Sequence, residues 1–149
     1  MKLLLASTSG GHFATMRSLK SFWSLHRKVW VCDRKADTEI LDRSEHVYWF
    51  PYQGPRDLQM LLYNLPQTFK VLWQEQPDVV ISTGASIAIN FCIAAKILGI
   101  RYVYIESISR SQSLSLTGHL VYWLSDEFYV QWPQLCTKYR KARFEGYAA

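Results

Sequence analysis

Short, continuously apolar runs alternate with amphipathic stretches along this whole chain, and that alternation restricts its fold more than any other feature. The runs "KLLLAS" (2–7), "KVWVCD" (28–33), "EHVYWFP" (45–51), "PDVVIST" (77–83), "IRYVYIES" (100–107) and "DEFYVQWP" (126–133) read as buried strands. Between them, residues 12–25 place Phe13, Met16, Leu19, Phe22 and Trp23 at helical spacing. Residues 36–43 read as a short helix, and 55–76 as a long one with a kink expected at Pro66. A nearly wholly apolar helix follows at 86–99, capped by Gly99, then a weaker one at 113–125. Strands without polar alternation need cover on both faces. The pattern therefore predicts one α/β domain over residues 1–149, a Rossmann-like parallel sheet with helices on both faces.

In such sheets ligands collect beyond the C-terminal strand ends. The loops expected there are Ser7–His12, Ser82–Ser86, Glu106–Arg110 and Gln131–Pro133. Their polar, glycine- or proline-marked character on one edge is the main functional inference from the residues alone. "STSGGH" departs from the dinucleotide fingerprint GxGxxG, with Asp33 the one candidate for its acidic partner, and it lacks a P-loop lysine. Gly10 and Gly11 still permit close backbone approach, and the helix start beside them attracts a phosphate. His12 either takes a proton from a bound hydroxyl or merely turns a corner. In "STGAS", Ser82 or Thr83 is expected to cap the next helix, and Gly84 to bring its amides near a ligand. In "ESISR", Glu106 either accepts from sugar hydroxyls beside a phosphate-clamping Arg110, or pairs with that arginine locally.

Composition narrows the partners. The net charge of +5 suits phosphates or anionic lipids, but no run concentrates it enough to favour nucleic acid. The densest cluster, Lys138, Arg140, Lys141 and Arg143 with Tyr139 and Phe144, reads as a solvated tail helix or a membrane-surface contact. Aromatics form 15% of the chain, which fits either a full core or an extra interface. Cys32, Cys92 and Cys136 lack CxxC spacing, so neither a disulfide framework nor a zinc site is expected. Cys92 sits in an apolar helix unsuited to nucleophilic work. HExxH, GxSxG and loop DxD pairs are absent, and neither metal nor cofactor is expected. No signal peptide or spanning run is evident, so a cytosolic or cytosolic-face peripheral protein is expected.

Taken together, "SGGH" (9–12), "STGA" (82–85), "ESISR" (106–110) and "QWPQL" (131–135) resemble the acceptor-side subunit of two-part glycosyltransferases. That family includes the membrane-anchoring subunit of the dolichol-linked N-acetylglucosaminyltransferase and bacterial capsule and exopolysaccharide proteins. More distantly, the glycine loop with its histidine is similar to the N-terminal domain of the lipid II-forming enzyme. The resemblance implies the N-terminal half of a GT-B enzyme. Such a half binds a lipid-pyrophosphate-linked acceptor, while a separate donor-binding catalytic chain holds the UDP-sugar. It implies acceptor contacts from Ser9, Gly10, Gly11, Thr83, Gly84 and Arg110, and catalytic work by His12 and Glu106. It also implies a partner-facing segment at "QWPQLCTKYRKARF". Eukaryotic members carry a membrane helix ahead of the first strand, and this sequence opens on the strand. Membrane contact is then expected on an amphipathic surface, with residues 55–73 the candidate unless they are buried against the sheet. A non-catalytic membrane scaffold and a stand-alone nucleotide-binding domain are the competing readings.

Overall fold

The computed structural model describes residues 1–147. Strands β1 (Lys2–Ser7), β2 (Arg27–Cys32), β3 (Val47–Trp49), β4 (Val79–Gly84), β5 (Arg101–Ile105), β6 (Glu127–Val130) and β7 (Ala142–Phe144) form one sheet. Their order is β3-β2-β1-β4-β5-β6-β7, and each pairing is parallel. Helices α1 (Gly11–Ser18) and α2 (Lys20–Trp23) follow β1, and a 3-10 turn (Glu39–Arg43) follows β2. Helices α3 (Leu58–Glu75), α4 (Ile87–Leu98), α5 (Leu116–Val121) and α6 (Leu135–Lys138) precede β4, β5, β6 and β7 respectively.

The strand pleat sorts the apolar runs into two cores. Leu4, Ala6, Val80, Tyr102 and Phe128 face α3, α4 and α5, packing with Leu72, Ala88, Phe91 and Val121. Leu3, Leu5, Trp30 and Ile81 face the other way, onto Phe13 and Met16 of α1 and Trp23 of α2. Right-handed crossovers explain the split. The chain moves one way along the sheet through α1 and α2, and the opposite way through α3 to α6, so the two groups fall on opposite faces. Among the described residues, the second face is covered by α1, α2 and the 3-10 turn, whose Leu41 joins this core. Beyond them lies an apolar cavity of about 410 Å³, floored by Val79, Ile81, Val103, Ile105 and Tyr129.

The structure corrects several boundaries. The basic cluster read as a tail helix is a four-residue helix followed by β7, a seventh strand that extends the sheet edge. The helix expected at 12–25 breaks at Leu19 into α1 and α2. Residues 36–43 contain a 3-10 turn in place of an α-helix. Helix α3 continues through Pro66, and Asp57 caps it by accepting from the Met60 amide at 3.0 Å. Neither Ser82 nor Thr83 caps α4; its N-cap is Ser86, whose hydroxyl donates to the Gln53 and Gly54 carbonyls and does not cap the helix.

Candidate functional site

Strands β1 and β4 are neighbours at the centre of the sheet, and the loops leaving them interlock. The Thr8 amide donates to the Gly84 carbonyl at 3.0 Å, and the Ala85 amide donates to Thr8 Oγ1 at 3.3 Å. Thr83 Oγ1 donates to the His12 carbonyl at 2.6 Å, and His12 Nδ1 lies 2.8 Å from the Thr83 carbonyl. A carbonyl can only accept, so Nδ1 carries the hydrogen, and in the neutral ring the lone pair lies on Nε2. Gly84 makes room for this ring. Its φ is +104°, and a Cβ there would stand 2.9 Å from His12 Nδ1.

His12 lines a cavity of about 420 Å³ at the C-terminal sheet edge, between the starts of α3 and α5. Arg56, Arg110, Tyr104, Leu58, Leu61, Ile89, Leu116 and Leu120 share its walls, so cationic and aliphatic groups meet one space. Neither guanidinium has a hydrogen-bond or ion-pair partner among the described residues. Arg56 holds a left-handed backbone at φ 59°, just ahead of α3. Burial pushes the Tyr104 phenol well above its usual range, which keeps it a hydrogen-bond donor.

Glu106 lies behind the cavity wall, apart from the space that His12 and Arg110 line. It is buried and does not line the cavity. Its carboxylate accepts from the Ser107 and Ser115 amides, each at 2.9 Å, from Ser115 Oγ, and from the Tyr104 hydroxyl at 3.2 Å. Ser115 Oγ in turn accepts from the Gly118 amide at 3.0 Å and caps α5. Glu106 therefore anchors the wall that carries Leu116 and Leu120, and its oxygens engage these donors and not Arg110. The loop it belongs to is pinned from behind. Gln131 Nε2 donates to the Glu106 carbonyl at 3.1 Å, and Trp132 Nε1 to the Ile108 carbonyl at 2.5 Å.

The glycine loop is braced as well. Asp33, which is buried, accepts from the Ser9 amide at 2.7 Å and from Ser9 Oγ at 2.8 Å. Asp37 accepts from the Gly10 amide at 2.7 Å. The structure sets His12 against Thr83 and Gly84 and puts Arg110 on the same cavity as His12, with Arg56, Asp37, Leu116 and Leu120 as neighbours the sequence had not singled out. A cation between Pro55 and the Asp57 cap was the available signal for Arg56.

With this geometry in hand, residues 56–148 match the profile of the family described as "Oligosaccharide biosynthesis protein Alg14 like". The chain belongs to the Alg14-like family. It is 33% identical over 119 residues to the UDP-N-acetylglucosamine transferase subunit ALG14 of Rattus norvegicus, covering 69% of this chain and 55% of that protein. To the subunit of the same name from Yarrowia lipolytica it is 29% identical over 176 residues, covering 97% and 80%. The chain spans about half the length of its rat and human relatives. Among solved structures, MurG of Acinetobacter baumannii superposes with a TM-score of 0.74 at 17% identity, over 89% of this chain and 42% of that one. The UDP-GlcNAc 2-epimerase of Methanocaldococcus jannaschii gives 0.73 at 15%, over 97% and 45%. Both likenesses concern fold, and they bear out the Rossmann-like sheet expected for the N-terminal half of a GT-B enzyme. The Alg14-like profile includes α3, α5 and both cavity arginines, whereas His12 and the glycine loop lie before it.

Proposed function

We propose that this chain is the acceptor-binding, membrane-recruiting half of a two-chain glycosyltransferase that extends a lipid-diphosphate-linked saccharide with sugar from a UDP donor. The observation that carries the reading is the His12 ring, held through Nδ1 by the Thr83 carbonyl and lining one cavity with both arginines and leucines, which in the neutral ring leaves the lone pair on Nε2. That nitrogen suits removal of a proton from an acceptor hydroxyl as the glycosidic bond forms. The two arginines suit an anionic linker, and the leucines suit an attached aliphatic chain.

Membrane contact fits the same end of the molecule. Leu58, Leu62 and Tyr63 on α3 and Leu116, Leu120 and Trp123 at α5 are exposed, and Leu58, Leu116 and Leu120 also line the cavity. An acceptor could then pass from bilayer to site without crossing water. No helix among the described residues is long and apolar enough to cross a membrane. The donor-binding chain is the remaining requirement. The half-covered second sheet face, floored by Val79, Ile81 and Val103, supplies apolar surface for it.

The test is transfer by the complex assembled with its donor-side chain. His12→Gln and His12→Ala are expected to lower turnover about 10²–10⁴-fold while the two chains still co-purify. Unchanged turnover would leave the chain a scaffold that recruits the catalytic subunit without sharing its chemistry.

A further inference from the structure

We infer that the diphosphate of the acceptor is gripped by Arg56 and Arg110, while the glycine loop beside His12 acts as a rigid seat and does not cradle the anion. The inference rests on the acceptor-side reading above and places a subsite within it.

Two sets of observations converge. At the loop, the Ser9 and Gly10 amides, which a phosphate would use, already donate to Asp33 and Asp37 at 2.7 Å each. Asp33 is 4% exposed and bridges both the amide and the hydroxyl of Ser9, so it is built into the fold. An anion approaching there would meet two carboxylates and find those amides occupied. Across the cavity the two arginines outnumber one carboxylate, that of Asp57, whose Oδ1 is taken up by the Met60 amide at 3.0 Å. Arg56 and Arg110 come from separate segments, before α3 and after β5, and neither has a protein partner among the described residues. Guanidinium forks match phosphate oxygens in geometry and stay charged at any working pH. Leu58 and Leu61 follow Arg56 in sequence, and Leu116 and Leu120 face the same space. A ligand meeting both requirements is amphiphilic, with a diphosphate joined to an aliphatic chain. Held there, its far side lies in the cavity that His12 also lines.

The experiment is a calorimetric titration of the full chain with a short-chain prenyl diphosphate, the prenyl alcohol of equal length, and inorganic pyrophosphate. The wild-type chain is expected to bind the prenyl diphosphate at least about tenfold tighter than either fragment. Arg56→Gln and Arg110→Gln are each expected to weaken prenyl diphosphate about tenfold or more while leaving alcohol binding unchanged. Arg56→Lys should recover part of the loss. Asp37→Asn, which removes charge at the loop but keeps an acceptor for the Gly10 amide, should alter affinity less than about threefold. Circular dichroism and thermal melts establish that each variant folds. Arginine variants that bind like wild type, or an Asp37→Asn chain that gains tenfold, would overturn the subsite and return the anion to the loop. A wild-type chain that binds none of the three probes would overturn the acceptor reading itself, and the subsite with it.

Discussion

Two glycines allow the tightest side-chain approaches at the scale of single residues. Gly84 carries a φ of +104°, and a Cβ there would collide with the His12 ring at 2.9 Å. Gly84→Ala is expected to cost roughly 1–3 kcal/mol from backbone strain and to displace the ring. Turnover of the assembled enzyme should therefore fall further than the folded fraction does, when both are measured on one preparation. Gly118 is tighter still, since a Cβ would stand 2.2 Å from Glu106 Oε2. Gly118→Ala is expected to lower the melting temperature through roughly 1–3 kcal/mol of overpacking. Such residues show the limits of reading a chain. "SGGH" and "STGA" could be placed on one sheet edge from strand periodicity alone. That the Thr83 carbonyl fixes a tautomer could not, because a backbone oxygen has no letter in a sequence.

Helix α3 illustrates the limits at the scale of elements. Its apolar content fits either a buried or a lipid-facing helix, and the structure divides the residues. Val71 and Leu72 enter the core, while Leu62 and Tyr63 face outward at 58% and 70% exposure. The buried side also holds Asn64 and Thr68, an inversion of ordinary patterning. They sit within a polar network. Asn64 Nδ2 donates to Gln53 Oε1 at 3.2 Å, Gln53 Nε2 to Asn90 Oδ1 at 3.0 Å, and Asn90 Nδ2 to the Leu61 carbonyl at 3.0 Å. This network locks α3 to α4 and positions the cavity wall. Asn90→Leu strands the buried Gln53 amide and the partly buried Leu61 carbonyl, and is expected to cost roughly 1–3 kcal/mol, read by denaturant unfolding. Leu62→Ser with Trp123→Ser changes only exposed positions. Binding to phosphatidylglycerol-containing vesicles should drop in sedimentation while the melting temperature stays constant. Element boundaries were least legible where cooperativity is weakest. β7 spans only Ala142–Phe144, among charges that read equally well as a solvated helix.

At the scale of the whole molecule, the alternating runs pointed directly to the parallel sheet and to the loops gathered at its C-terminal edge, because strand burial on both faces leaves few alternatives. The uneven cover of the two faces was not legible, since it depends on crossover direction and strand order. Cysteine burial has a consequence for the molecule's response to pH. Burial pushes the Cys32 and Cys92 thiols from 9.0 up to about 12. The folded state therefore holds protons that the unfolded state releases. Stability from this source is fully present below pH 9 and is lost as pH rises towards about 12. Thermal melts across that range should show a falling midpoint. At pH 8, a thiol reagent should label the partly exposed Cys136 well before the other two.

The bond between His12 and Thr83 joins positions 71 residues apart. During synthesis the histidine therefore emerges long before the carbonyl that aims it, and β4 must insert beside β1 before its proton has a fixed address. A chain arrested after β3 would carry the same imidazole without the carbonyl that holds its Nδ1 hydrogen. Completion of the central strand pair thus times the moment at which this ring acquires its fixed orientation.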